Sequence, residues 1–277
     1  MRRALLRDVA TASEPVAVHR ALGAEAVHET RKRIKRCRAV LRLLRPALDD
    51  GDFAACDRAL RRAGKALSRA RDAAVASRLQ AELGSLAAGR RKAPSRGPGP
   101  AGPMASAADV ARAHRSLQSA ADSLALAKLH RRGWSTLGPG VRTVYRGGRR
   151  RVPVEAQAAS GAALHDWRRH VKRYWHVLEV FSALNPERLG AVIGIARRLS
   201  DVLGEEHDLA MLDARLRARR DPPDDVLRLV AERRAKLTRR AVTLGTKLYR
   251  EPSKTIEREL HRDWDRWRER ARTSALG

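Results

Sequence analysis

Cysteine is scarce in this 277-residue chain, and its two cysteines, Cys37 and Cys56, lack the spacing of a metal site or a disulfide framework. Both fit a reducing cytosol. No run approaches the roughly 20 apolar residues that a membrane span requires. In the opening MRRALLRDVA, Arg7 and Asp8 interrupt the apolar stretch before it reaches the length of a signal core. The expected location is therefore cytoplasmic. No segment alternates apolar and polar residues with a period of two, which excludes a strand-built fold. His-x-x-x-His and Cys-x-x-Cys are absent, and His165 and His170 point about 140° apart on a helix, so neither a metal nor a cofactor is expected. Aromatic residues make up 4% of the chain, and Trp134, Trp167, Trp264 and Trp267 fall on apolar stripes. They read as core or groove-edge packing rather than as a base-stacking platform.

Acidic residues are the last deficit, 31 against 59 Lys and Arg, for a net charge of +28. Such a charge costs self-repulsion unless a polyanion neutralises it. Nucleic acid, inorganic polyphosphate and an anionic membrane are the candidates. A compositional bias toward arginine explains the ratio of Arg to Lys but not the excess of positive charge.

What is present is a two-faced helix that recurs. In VHETRKRIKRCRAVLRLL, Val27, Thr30, Ile34, Cys37, Leu41 and Leu44 are spaced 3, 4, 3, 4, 3, which keeps them on one side of a helix. In LHDWRRHVKRYWHVLEVF, Leu164, Trp167, Val171, Tyr174, Leu178 and Phe181 repeat that spacing 137 positions downstream (165 minus 28 for the histidines). Away from the seam, His28 matches His165, Arg31 matches Arg168, Lys35 matches Lys172 and Arg36 matches Arg173, while Lys32 and Arg169 keep the charge. A cationic ridge has been duplicated together with its core face. The following helices also correspond: LSRARDAAV from Leu67 aligns with LGEEHDLAM from Leu203, setting Arg71-Asp72 against His207-Asp208 (208 minus 72 is 136).

In chain order, residues 1–23 read as a short helix and a connection containing Pro15, broken at Gly23. The first ridge helix runs to about Arg45, where Pro46 stops it. A second long helix is expected from Phe53 to about Leu83. Residues 84–106, dense in Gly and Pro, read as a disordered surface loop. A helix resumes near Ala107 and ends around His130. Gly138, Pro139 and Gly140 read as a turn, followed by TVYRGGRRR. The second ridge helix is expected from near Glu155 to Leu184, the next from about Glu187 to Arg219, and another from Asp224 or Asp225 through Leu248. A final helix follows Pro252, with Ile256, Leu260, Trp264 and Trp267 as its stripe. The fold is expected to be all-α: two antiparallel four-helix bundles related by an internal pseudo-twofold repeat. The halves divide near residue 152, at about 1–152 and 153–277.

These motifs resemble the CHAD domain, a conserved-histidine α-helical family. His28, Arg31, Lys35, Arg36 and Arg38 follow its His-x-x-Arg-x-x-x-(Lys/Arg)-Arg-x-Arg pattern, and Arg71-Asp72 its Arg-Asp signature. TVYRGGRR is similar to its Tyr-Arg-x-Gly-Arg segment. His165, Arg168, Lys172, Arg173, Leu178 and Glu179 repeat the first pattern. Trp175, His176 and His207 depart from it, and Ser68 replaces the usual Gly. The resemblance extends over nearly the whole chain outside 84–106. It implies a stand-alone, non-catalytic module that binds inorganic polyphosphate in a basic groove between two helical bundles and associates with polyphosphate granules. The Glu-x-Glu-x-Lys strand of a fused triphosphatase is absent.

The residues so marked in the first half are His28, Arg31, Lys32, Lys35, Arg36, Arg38, Lys65 and Arg71. Those marked further on are Tyr145, Arg146, Arg149, Arg150, His165, Arg168, Arg169, Lys172, Arg173 and His207. Polyphosphate carries a charge on every phosphate and has no base edge to read, so rows of Arg and Lys suit it. A phosphate favours the charged form of His28 and His165 while neighbouring cations oppose it, and the sign of their shift stays open. Asp72 and Asp208 read as buried partners of arginine. A non-specific RNA or DNA binder and a divalent-dependent phosphohydrolase are the alternatives. If six phosphates are neutralised, affinity falls by about two to three decades between about 50 and 200 mM salt. Titrations at graded salt measure this, and a flat response excludes the ridges as the binding surface.

Overall fold

A computed structural model describes residues 2–18, 21–68, 105–156, 159–218 and 224–273. Its α-helices are α1 (Arg2–Val18), α2 (Ala24–Leu44), α3 (Asp50–Ala66), α4 (Ala107–Leu126), α5 (Gly138–Arg149), α6 (Gly161–Phe181), α7 (Pro186–Arg217), α8 (Asp224–Leu248) and α9 (Ser253–Thr273). Among the described residues there is no strand, only an isolated bridge between Leu22 and Ala105. The fold is all-α, and no described helix is long and apolar enough to cross a membrane.

The ridge helices α2 and α6 are each 21 residues long, and each runs into a three-residue 3-10 turn, Arg45–Ala47 and Ser182–Leu184. All six seam residues of each helix are buried. Local chemistry fixes the ends. The Ser160 hydroxyl accepts from the Ala163 amide at 3.2 Å to start α6. Asn185 Oδ1 accepts from the Arg188 amide at 3.3 Å to start α7, with Pro186 in its first turn.

Several elements differ from the sequence expectation, and α3 starts at Asp50 rather than Phe53. Pro15 lies inside α1 rather than in a connection. Proline lacks the amide that would bond the carbonyl four residues back, and Thr11 O instead accepts from Arg33 Nη1 at 2.8 Å. Gly138-Pro139-Gly140 opens α5 rather than forming a turn, because Pro at the start of a helix gives up only an amide that has no helical partner. The second ridge helix begins at Gly161 and not near Glu155, since Ser160 supplies the cap. α4 ends at Leu126, short of His130. Most of the expected continuation of α3 to Leu83, and the loop at 84–106 apart from Ala105 and Ser106, lie outside the described residues.

The chain divides into two compact units, Met1–Leu41 with Ala47–His130, and Arg42–Pro46 with Arg131–Gly277. The division falls at His130–Arg131, ahead of residue 152, because α5 packs on α6 and α9. In the first unit α4 packs on both α3 and α1. Leu5, Val9, Ile34, Cys37, Leu60 and Leu117 are among its buried side chains. In the second unit α7 packs on α6 and α8, and the centre is aromatic. Tyr145 meets Tyr174 and Tyr249 edge-on, with each pair of ring centroids 5.2 Å apart. On α9, Leu260 is buried, Ile256 and Trp264 are half-buried, and Trp267 is exposed.

Small residues permit the closest approaches in the second unit. A Cβ at Gly140 would stand 2.7 Å from Leu43 Cα, and one at Gly245 would stand 2.6 Å from Trp167 Cη2. At Gly190, on the outer face of α7, a Cβ would meet nothing within 4 Å. Gly140→Ala is expected to cost about 1–3 kcal/mol by overpacking. Gly190→Ala should be neutral or stabilise by up to about 1 kcal/mol through helix propensity. Urea unfolding of the two variants checks the contrast.

Candidate functional site

In the first unit the seam of α2 turns its other residues outward: His28, Lys32 and Lys35 are exposed, and Arg31, Arg36 and Arg38 half-buried. Several of these cations also tie helices together. Arg31 Nη1 donates to the carbonyl of Gly64 in the last turn of α3. A Cβ at Gly64 would make an ordinary contact with Ile34 Cγ2 at 3.7 Å, so the helices meet there without needing glycine. Arg38 Nε donates to Oδ1 of buried Asp57 at 3.0 Å, and Arg61 Nε reaches Oδ2 at 2.8 Å. Arg36 Nε lies 3.5 Å from Asp8 Oδ2 on α1, and Lys32 Nζ 3.5 Å from Glu29. Lys65 is exposed near the end of α3. Arg71 and Asp72 lie outside the described residues.

The second unit carries the other ridge on α6. His165 and His207 meet with ring centroids 4.5 Å apart. The guanidinium of Arg168 lies against α7 where Gly204 leaves room: a Cβ there would be 3.0 Å from Nη2. Arg169 is exposed and bonds Asp166, which also accepts from Arg151 Nε. Those two guanidiniums hold the Asp166 carboxyl well below the usual carboxylate range. Arg151 Nη1 donates to Gly147 O at 2.9 Å, fixing the end of α5. Arg146, Arg149 and Arg150 are exposed there, where the helix dipole favours cations. Lys172, Arg173, His207 and Asp208 are half-buried. Asp208 is thus less enclosed than the sequence suggested.

Tyr145 needs correction as a phosphate contact. It is fully buried, and its hydroxyl donates to Glu251 O at 2.7 Å. Burial pushes its pKa up to about 12. Its place is in the core because it shares the buried face of α5 with Val141, Val144 and Gly148, a face that packs closely: a Cβ at Gly148 would stand 2.8 Å from Tyr249 Cε1.

Asp57, Asp166 and His170 shape the ridges, yet none was a candidate from sequence. His170 was legible only as an unmatched histidine in the second ridge, facing Arg33 in the repeat. Arg173 Nη1 lies 3.2 Å from its Nε2, and a guanidinium can only donate, so Nε2 accepts and the neutral ring carries its proton on Nδ1. Among the described residues no group of three or more His, Cys, Asp or Glu is placed to hold a metal ion.

The CHAD domain profile matches residues 3–217. The chain belongs to the CHAD family. Both ridges lie within the match, which stops before α8 and α9, so it covers less than the near-complete span expected from the motifs. The CHAD family is linked to binding of polyphosphate and triphosphate. No curated protein and no solved structure matches the chain.

Burial, then Arg173 and Arg151, push the His170 pKa from 6.5 down to about 4. The unfolded chain therefore binds this proton more tightly than the folded one. Stability from this group is complete above about pH 6.5 and is lost as pH falls through about 4. His170→Gln keeps an acceptor but does not titrate. Between pH 6.5 and 4 its urea midpoint should fall less steeply than that of the parent; parallel curves would show that His170 is not the group responsible.

Proposed function

We propose that this CHAD protein is a non-catalytic module that binds inorganic polyphosphate along the cationic ridges of α2 and α6, and that it acts at polyphosphate granules. One observation carries the reading. Two helices of equal length bury matching seams while His28, Arg31, Lys35 and Arg36 recur in register as His165, Arg168, Lys172 and Arg173. Solubility alone requires charge, but it does not require the same charge at the same helical phase twice.

The chemistry suits a chain of phosphates. Ridge cations follow each other at about one helical turn or less, a rise of roughly 5 Å. Arginine offers paired donors to phosphate oxygens, and lysine a point charge. Family membership supports this ligand class. Two carboxylates beside the ridges, Asp57 and Asp166, each hold two arginines. That use favours positioning of cations over bond cleavage.

The test is titration of the full chain with long-chain polyphosphate at physiological salt, with pyrophosphate, RNA and duplex DNA as competitors. Arg31→Glu/Lys35→Glu and Arg168→Glu/Lys172→Glu should each weaken binding by more than about tenfold, since charge-assisted hydrogen bonds contribute roughly 1.5–3 kcal/mol each. Equal displacement by nucleic acid would reduce the function to generic polyanion binding. Divalent-dependent phosphate release, abolished by replacing one carboxylate, would make the protein an enzyme.

A further inference from the structure

His165 and His207 lie on neighbouring helices of the second unit with ring centroids 4.5 Å apart and planes inclined by 38°. Both are half-buried. The guanidinium of Arg168, one turn beyond His165, rests at Gly204, one turn before His207, so a permanent cation stands beside the pair. In the repeat register the residue matching His207 is Arg71 (207 minus 136). Arginine stays charged at every physiological pH, whereas imidazole exchanges its proton near neutrality. One half of the chain therefore carries a fixed cation where the other carries a titratable pair.

We infer that His165 and His207 form a proton-linked phosphate contact, which becomes cationic and donates to polyphosphate oxygens when the anion arrives. This rests on the polyphosphate reading above and adds a pH control to it. Two imidazolium rings at this separation repel one another, so the empty pair resists carrying two protons. A polyanion lying against both reverses that balance.

Charged groups of both signs stand on the helices packed against the pair. From α6 come Arg168, Arg169 and Lys172, with Asp166 already shared between Arg169 and Arg151, the latter just beyond α5. From α7 come Asp201, Glu205, Glu206, Asp208 and Asp213. From α8 comes Arg234, whose Nη2 bonds Glu206 at 2.9 Å and lies 3.6 Å from the Cβ position of Gly161, one turn before His165. Glu205, Glu206 and Asp213 of α7 are each held by an arginine of α8, Arg233 or Arg234. His170 does not supply the proton site, because its neutral ring already accepts from Arg173 and titrates only near pH 4.

Binding is then expected to take up close to one proton near neutral pH, so that affinity rises up to about tenfold for each pH unit lowered through the imidazole range. Isothermal titration of the full chain with long-chain polyphosphate, in buffers of unlike ionisation enthalpy, counts the protons. Long chains keep the titrating terminal phosphates few. His207→Arg copies the first half: it should retain binding, lose the proton uptake and flatten the pH response. His130→Gln, at an exposed histidine bonded to Asp49 and away from both ridges, should leave binding and uptake intact. If His207→Arg does not fold, His207→Gln serves, with weaker binding and the same loss of uptake. Binding by the parent without proton uptake overturns this inference alone, as does unchanged uptake in the His207 variant or its loss in His130→Gln. Absence of polyphosphate binding at any pH overturns the underlying reading as well.

Discussion

Two helices in this chain must bury one face and keep the other charged, and that constraint orients most of what surrounds them. Each fully buried Leu, Ile, Val or Phe of the seams contributes roughly 1.5–3 kcal/mol. A slip of one residue would turn the helix by about 100° and carry Lys and Arg toward the core. The burial of Val27 through Leu44 and of Leu164 through Phe181 therefore holds the cations at a defined phase. The ridge is a consequence of the seam.

Scarcity of acid shapes how that charge is held. Asp57 serves Arg38 and Arg61, Asp166 serves Arg151 and Arg169, and Asp263 serves Arg188 and Arg266. Burial works to raise the Asp263 pKa, but hydrogen bonds from Arg188 and Asn185 outweigh it and keep the group below its usual value. One carboxylate between two guanidinium forks positions both while leaving donors on each pointing elsewhere, since a guanidinium has five N–H groups. Few acids thus position many arginines, and the excess charge persists.

The two ridges are copies in phase but not in local environment. Arg33 answers the carbonyl that Pro15 leaves without an amide, whereas His170, at the matching position, accepts from Arg173. In the second unit the glycines of α5 draw that helix against the core, so Arg151 reaches Asp166 and the arginines at its end stand exposed. A duplicated pattern has thus acquired two sets of neighbours.

The sequence by itself determined the helical class, the two seams, the duplicated cations and the family, because a 3.6-residue period and a fixed offset are local properties of a linear pattern. Every seam residue named from spacing is buried. Only the tertiary structure decided that Arg38 is tied to Asp57 and Arg33 to Thr11 on other helices. It also withdrew Tyr145 from the surface and brought His165 to His207. Helical phase gives the direction in which a side chain leaves its own helix. What it meets there is set by the approach of another helix, and that approach depends on glycines such as Gly140, Gly148 and Gly245, which carry no apolar signal for a periodic reading to detect.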